Sequence, residues 1–241
     1  MQTSQKILIG SGVAVLALAA AAAIAGPMIY RDFIAPPAAE APSLSGDESM
    51  LEPLGAAIDP TALVGDWRVA DGSEAGYRVD EVLNGTDVTV TGRTDEVTGT
   101  FTIGGDGLTL ETAELAVDVA SISTDSAQRD AYFRDQALRV SEHPTATFVL
   151  TQPVTLDEAP ASGDVVQAEA TGDLTIAGTT RSVTVDVQLR GTTADDGETT
   201  ADIAGSIPIS FADFGVEAPN LGFVQVEPEG FVEFQLTAQQ E

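Results

Sequence analysis

The chain has 241 residues, with 38 Asp or Glu against 10 Lys or Arg, a formal net charge of −28, and no Cys. That charge disfavours a nucleic-acid partner, because phosphate contacts need clustered Lys or Arg, and it opposes docking of the domain on anionic lipid. The lack of Cys removes a disulfide framework, a thiolate zinc site and a thiol nucleophile.

Ile7 to Ile29 carry no charge. As a helix of 1.5 Å rise per residue this run is about 34 Å long, enough to cross a hydrocarbon core of about 30 Å with some tilt. A cleaved secretory signal is the alternative, with Lys6 as its basic region and Ala23-Ile24-Ala25 as the cut site. The run exceeds the usual apolar core of a signal, and apolar residues continue past the cut, so the expectation is an uncleaved transmembrane anchor over residues 1–30. The signal-like layout and short N-terminal tail put the rest of the chain outside. The expected location is therefore the cell membrane, single-pass, with the C-terminal domain extracytoplasmic.

Residues 31–61 are rich in Ala, Pro and acid, with Pro36, Pro37, Pro42, Pro53 and Pro60 forbidding a continuous helix. They read as an extended linker. From residue 62 to 241 the dominant period is two. Leu115, Val117 and Val119 alternate with polar or small neighbours, as do Val183 to Leu189, Ile207 to Phe211 and Val232 to Leu236. Such runs predict antiparallel strands with one apolar face. Turn signals separate them at Asn84-Gly85, Gly104 to Gly107, Gly178-Thr179-Thr180 and Asp195-Asp196-Gly197. Eight or nine strands of this kind predict a sandwich or a barrel. One segment departs: Ser123 to Ser126 offer N-caps and Ala127 to Leu138 predict a helix, with Arg129, Asp130, Arg134 and Asp135 expected as solvated ion pairs.

Catalytic machinery has little support. His143 is the only histidine, precedes Pro144, and reads as a turn residue. No Ser lies in G-x-S-x-G. Asp195-Asp196-Gly197-Glu198 lacks the spacing of a calcium loop and reads as an exposed hairpin tip. The expectation is no catalytic residue, no metal and no cofactor.

Three blocks carry a resemblance. The first is AELAVDVASISTDSAQRDAYFRDQAL followed by HPTATFVLTQPV, with Ser121, Ile122, Thr124, Arg129, Asp130, Pro144 and Phe148 at its marked positions. The second is ATGDLTIAGTTRSVTVDVQLRG, with Gly172, Leu174, Thr175, Ile176, Gly178, Thr180, Arg181 and Val183. The third is GSIPISFADFGVEAP, with Phe211, Asp213, Phe214 and Gly215. Together they resemble the YceI-like, or polyisoprenoid-binding, domain family. The resemblance implies an all-β fold with one short helix: an eight-stranded antiparallel lipocalin-like barrel, here preceded by the anchor and linker. It also implies a non-enzymatic role, with an isoprenoid or similar long apolar lipid held in a barrel tunnel. Tunnel-lining candidates on that footing are Phe101, Val117, Val119, Phe148, Leu150, Leu174, Ile176, Val185, Ile207 and Phe234, with Arg129 as a possible headgroup contact or, alternatively, pinned by Asp130 or Asp135 at the barrel rim. The family's opening His-Ser segment is absent here, where GYRVDEVLNG stands without histidine. The alternative is the same barrel without lipid, acting as a structural or interaction module through its acidic surface.

Overall fold

Alternation of apolar and polar side chains puts one face of each segment inward, and in the computed structural model those segments wrap around a common interior. The structure describes residues 38–44, 55–83, 85–194, 197–220, 222 and 224–241. The anchor expected over residues 1–30 lies outside them, as do Asn84 and the Asp195-Asp196 tip. Among the described residues no helix is long and apolar enough to cross a membrane.

Among the described residues eleven strands form: β1 (Gly65–Val69), β2 (Glu74–Leu83), β3 (Thr86–Thr94), β4 (Val97–Ile103), β5 (Thr109–Asp118), β6 (Thr145–Leu150), β7 (Val154–Thr155), β8 (Val165–Ile176), β9 (Thr179–Thr193), β10 (Thr199–Ser210) and β11 (Val224–Gln240). They make eight staves. β1 and β2 are two halves of one stave, since both pair with β11, through Trp67 opposite Gln240 and Ala75 opposite Phe234. β4 and β3 likewise run beside β1 and β2, and β6 and β7 both pair with β5. Each stave neighbours the next in sequence, and β11 returns to the first. The result is a closed up-and-down antiparallel barrel, joined by β1 between β4 and β11, with β3 paired to β2 alone.

The first stave breaks at Asp71-Gly72, where Gly72 has φ +89°. Ser73 mends the break: its hydroxyl donates to the Ala70 carbonyl at 2.7 Å and accepts from the Thr237 amide at 3.0 Å. Such a bulge bends the strand without losing its partner. The β8–β9 turn places both Ala177 (φ +48°) and Gly178 (φ +76°) in the left-handed region, as a two-residue hairpin of right-handed twist requires.

β5 pairs with β4 but not with β3, which leaves a gap beside β3. The gap is bridged where Arg93 and Ser123 exchange backbone hydrogen bonds. From there the chain enters α1 (Ala127–Tyr132), capped by the Ser126 hydroxyl, which accepts from the Arg129 amide. The predicted helix over 127–138 is present in extent, but its second half, Phe133–Ala137, is a π turn. The Leu138 amide bonds to the Phe133 carbonyl five residues back. That wider closure sets Phe133 and Leu138 on one face against the barrel.

The linker is docked in its described parts. Residues 38–44 cross the outside of the barrel. The Ala39 amide donates to the Thr91 hydroxyl, the Ala39 carbonyl accepts from Arg78, and the Leu44 amide donates to Gln188 at 2.7 Å. Under this strap, Arg78 and Arg93 both donate to the Glu233 carboxylate. Residues 55–63 close one end of the barrel. Ile58 and Leu63 point inward, Pro60 sits over Gly107, and Ile58 packs over Gly191; a Cβ on either glycine would strike them. The expectation of an extended linker does not account for these contacts. Pro and acid content report the absence of a helix, whereas Leu44 and Ile58, both buried, supply the apolar reason to dock.

Candidate functional site

The inward faces of the eight staves do not fill the barrel. Two apolar chambers of about 240 Å³ and about 170 Å³ lie end to end. Ala75, Val117, Ala146, Leu174 and Val232 border both and form the waist between them. The first chamber runs from this waist to the end closed by Ile58 and Leu63. The second runs to the opposite end, under α1 and the Phe211–Phe214 turn.

Strand parity places every tunnel-lining candidate on this interior. Phe101, Phe148, Leu150, Val185, Ile207 and Phe234 line the first chamber, Val119 and Ile176 the second, and Val117 and Leu174 the waist. Packing around them is tight in places. Phe148 lies over Gly172 and Phe234 over Gly205, each glycine leaving room that a Cβ would occupy. Trp67, and Leu236 on the inward face read for Val232 to Leu236, are not among those candidates, yet both are almost fully buried against Phe101 and Ala113 in the wall of the first chamber.

The chambers differ in polarity. Arg190 and Glu233 border the first, but both have outward parity on their strands, next to inward Leu189 and Val232; Arg190 lies 3.7 Å from Asp202. The second contains a charged wall. In β2 the inward positions are Ala75, Tyr77, Val79 and Glu81, so an acid stands on an apolar face. Glu81 is buried, and its carboxylate accepts from Arg129 Nη2 at 3.0 Å. Arg129 Nη1 donates to Asp125 at 2.6 Å. The solvated pair expected between Arg129 and Asp130 does not form, and neither does a pin through Asp135. Asp130 is buried and accepts from the Thr124 amide and hydroxyl, closing the loop ahead of α1. Adjacent residues on a helix point in different directions, which is why Arg129 reaches β2 while Asp130 turns back to its own loop. Burial alone would lower the Arg129 pKa; the Glu81 and Asp125 carboxylates more than offset it and hold the guanidinium above its ordinary value. Tyr77 stacks on Phe133 with ring centroids 4.7 Å apart, and burial pushes its phenol well above the ordinary tyrosine value. Its polar tip, like Glu81, was signalled only by the parity of β2.

His143 packs against the β8–β9 turn, its ring where a Cβ on Gly178 would lie, with Glu142 at 3.9 Å. Among the described residues no group of three or more His, Asp or Glu is gathered as a metal site. The interior therefore offers a long apolar volume with one polar wall, the usual construction of a site that holds a ligand by burial and orients it by a few polar groups.

Comparisons with known proteins agree with this architecture. The family model described as YceI-like domain matches residues 67–238. A polyisoprenoid binding domain from Saccharophagus degradans, implicated in plant cell wall breakdown, superposes with a TM-score of 0.59 at 18% identity, covering 74% of this chain and 99% of that one. BcnA from Burkholderia cenocepacia gives 0.50 at 22% identity, over 68% and 95%. A variant of the Campylobacter jejuni YceI protein, solved with a monobromobimane guest, gives 0.51 at 15% identity, over 62% and 84%. Among curated proteins none matches the sequence.

Proposed function

The chain belongs to the YceI-like domain family, and from that premise we propose that it is a non-catalytic binding protein that holds an isoprenoid or similar long apolar lipid inside its barrel. The observation that carries this reading is that two apolar chambers share one wall, made of Ala75, Val117, Ala146, Leu174 and Val232, along the barrel interior. Neither chamber alone reaches the range of about 300–1,000 Å³ usual for ligand pockets, while the pair together does. A ligand that uses both must be long, narrow and apolar. The polyisoprenoid-binding neighbour has the same fold.

The uncharged run from Ile7 to Ile29 supports a membrane anchor. The barrel would then sit on the extracytoplasmic side, beside the bilayer from which such a lipid comes. The protein needs no cofactor for this role, and its partners are the lipid and, through the anchor, the membrane.

Mass spectrometry of lipid co-purified with the full-length protein tests the binding role. A stoichiometric isoprenoid lipid supports it, and an empty barrel from several expression conditions favours the interaction module with an acidic surface. Because the chain has no Cys, a single Ser45→Cys variant probed with a membrane-impermeant maleimide in intact cells reports sidedness. Labelling supports the extracytoplasmic placement, and protection until lysis overturns it.

A further inference from the structure

Within the lipid-binding reading, on which this inference rests, the open question is what kind of headgroup the polar wall accepts. Arg129 is the only cation bordering the second chamber among the described residues. Taken alone it would attract a phosphate. It is not alone: its Nη2 is held by Glu81 and its Nη1 by Asp125. Glu217 borders the same chamber, and Asp130 is buried one residue along α1. Two carboxylates thus hold one guanidinium, and further acids stand on the same chamber and the same helix. An anion brought to Arg129 would have to displace a carboxylate it already pairs with, or sit beside several like charges in a partly desolvated site. The cation that borders the first chamber, Arg190, has outward parity on β9 and likewise lies beside a carboxylate, Asp202 at 3.7 Å.

We propose that Glu81 and Asp125 set the headgroup specificity of the barrel: by neutralising Arg129 they admit an uncharged lipid, of the polyprenyl alcohol or quinone class, and reject one that ends in phosphate. A hydroxyl or carbonyl oxygen needs no counter-ion. It can accept from the guanidinium edge without breaking either ion pair, while the chain fills the apolar length beyond. Arg129 then orients the headgroup as a donor, and the two acids discriminate.

The test compares a polyprenyl alcohol with its monophosphate of equal chain length, each titrated into the full-length protein in neutral detergent. The sole tryptophan, Trp67 in the wall of the first chamber, reports binding by its fluorescence. The alcohol is expected to bind at least about tenfold more tightly, the factor that 1.4 kcal/mol of like-charge opposition gives. In the Glu81→Gln/Asp125→Asn variant that preference falls by about tenfold or reverses. Asp125→Asn alone, at a more exposed position, shifts it the same way by less. A charge-matched control on the outer face, Glu169→Gln/Asp186→Asn, leaves it unchanged. Equal or tighter binding of the phosphate by the wild type overturns the inference while leaving the lipid-binding reading intact. So does a preference that persists when Glu81 and Asp125 are both neutralised, or one that the outer-face control removes as readily. Binding of neither lipid overturns the lipid-binding reading itself, and the inference with it.

Discussion

The two chambers are made by the same staves yet finished by different means. The first ends in Ile58 and Leu63, aliphatic side chains delivered by the segment ahead of β1 and seated over Gly107 and Gly191 through Pro60 and Ile58. The second ends in a helix that brings an arginine to a buried glutamate. The first end is closed by area removed from water, an effect that is strong and indifferent to what it covers. The second is finished by charge, an effect that is weaker for stability and selective about what approaches. One end of the barrel should therefore govern how firmly it holds together and the other what it holds.

Three variants put that division at risk. Trp67→Ala, in the wall of the first chamber, should destabilise most, by about 3–5 kcal/mol, read from denaturant midpoints by circular dichroism. Ile58→Ala removes the closing side chain and should cost about 2–4 kcal/mol by loss of a buried aliphatic. A cost near zero would mean that the segment ahead of β1 lies on the barrel without contributing to it. At the other end, Arg129→Met leaves the buried Glu81 without its partner. With Arg129 itself a quarter exposed, the cost should be only about 1–3 kcal/mol, accompanied by weaker binding of an uncharged headgroup, whose donor is lost, while both acids still oppose a phosphate. If Arg129→Met proved more destabilising than Trp67→Ala, the contrast would be inverted.

The smallest effect concerns pH. Tyr77 has a folded-state pKa raised above its ordinary value of 10.0 by burial. Below pH 10 both states keep the phenolic proton. Above it the unfolded chain ionises first, so stability should fall as pH rises, by up to about 1.4 kcal/mol per pH unit. Tyr77→Phe should remove that part of the alkaline slope, measured as denaturant midpoints at about pH 9 and pH 11. An unchanged slope would place Tyr77 in a wetter site than its stacking on Phe133 suggests.

Much of the barrel was legible because a period of two fixes which residues face inward, whatever the pairing partners are. Phe148, Val185 and Phe234 needed nothing more. The eight staves were harder to count, since β1 and β2 read as separate strands until Ser73 is seen to stitch them along β11. The ion pairs were misassigned for a different reason. Arg129 and Asp130 are adjacent in sequence, but the partner of Arg129 lies 48 residues away on β2, and spacing along one segment carries no information about a neighbouring stave. Glu81 did leave a trace, as an acid at an inward position. The strap over residues 38–44 left only Leu44 as a trace, since the rest of its attachment is hydrogen bonds between its own backbone and the side chains of Thr91, Arg78 and Gln188.

The seam of the barrel has a consequence in time. β11, residues 224–240, is at once the neighbour of β10, of β2 and of β1. Trp67 must wait for Gln240, some 170 residues later, so the ring stays open on the growing chain until its last stave emerges. Pairings this distant make folding slow. During that interval the inward Val, Ile, Leu and Phe of the earlier staves face water. A long apolar molecule present as the seam closes would be enclosed with them, so the barrel is best placed to acquire its first occupant at its own birth.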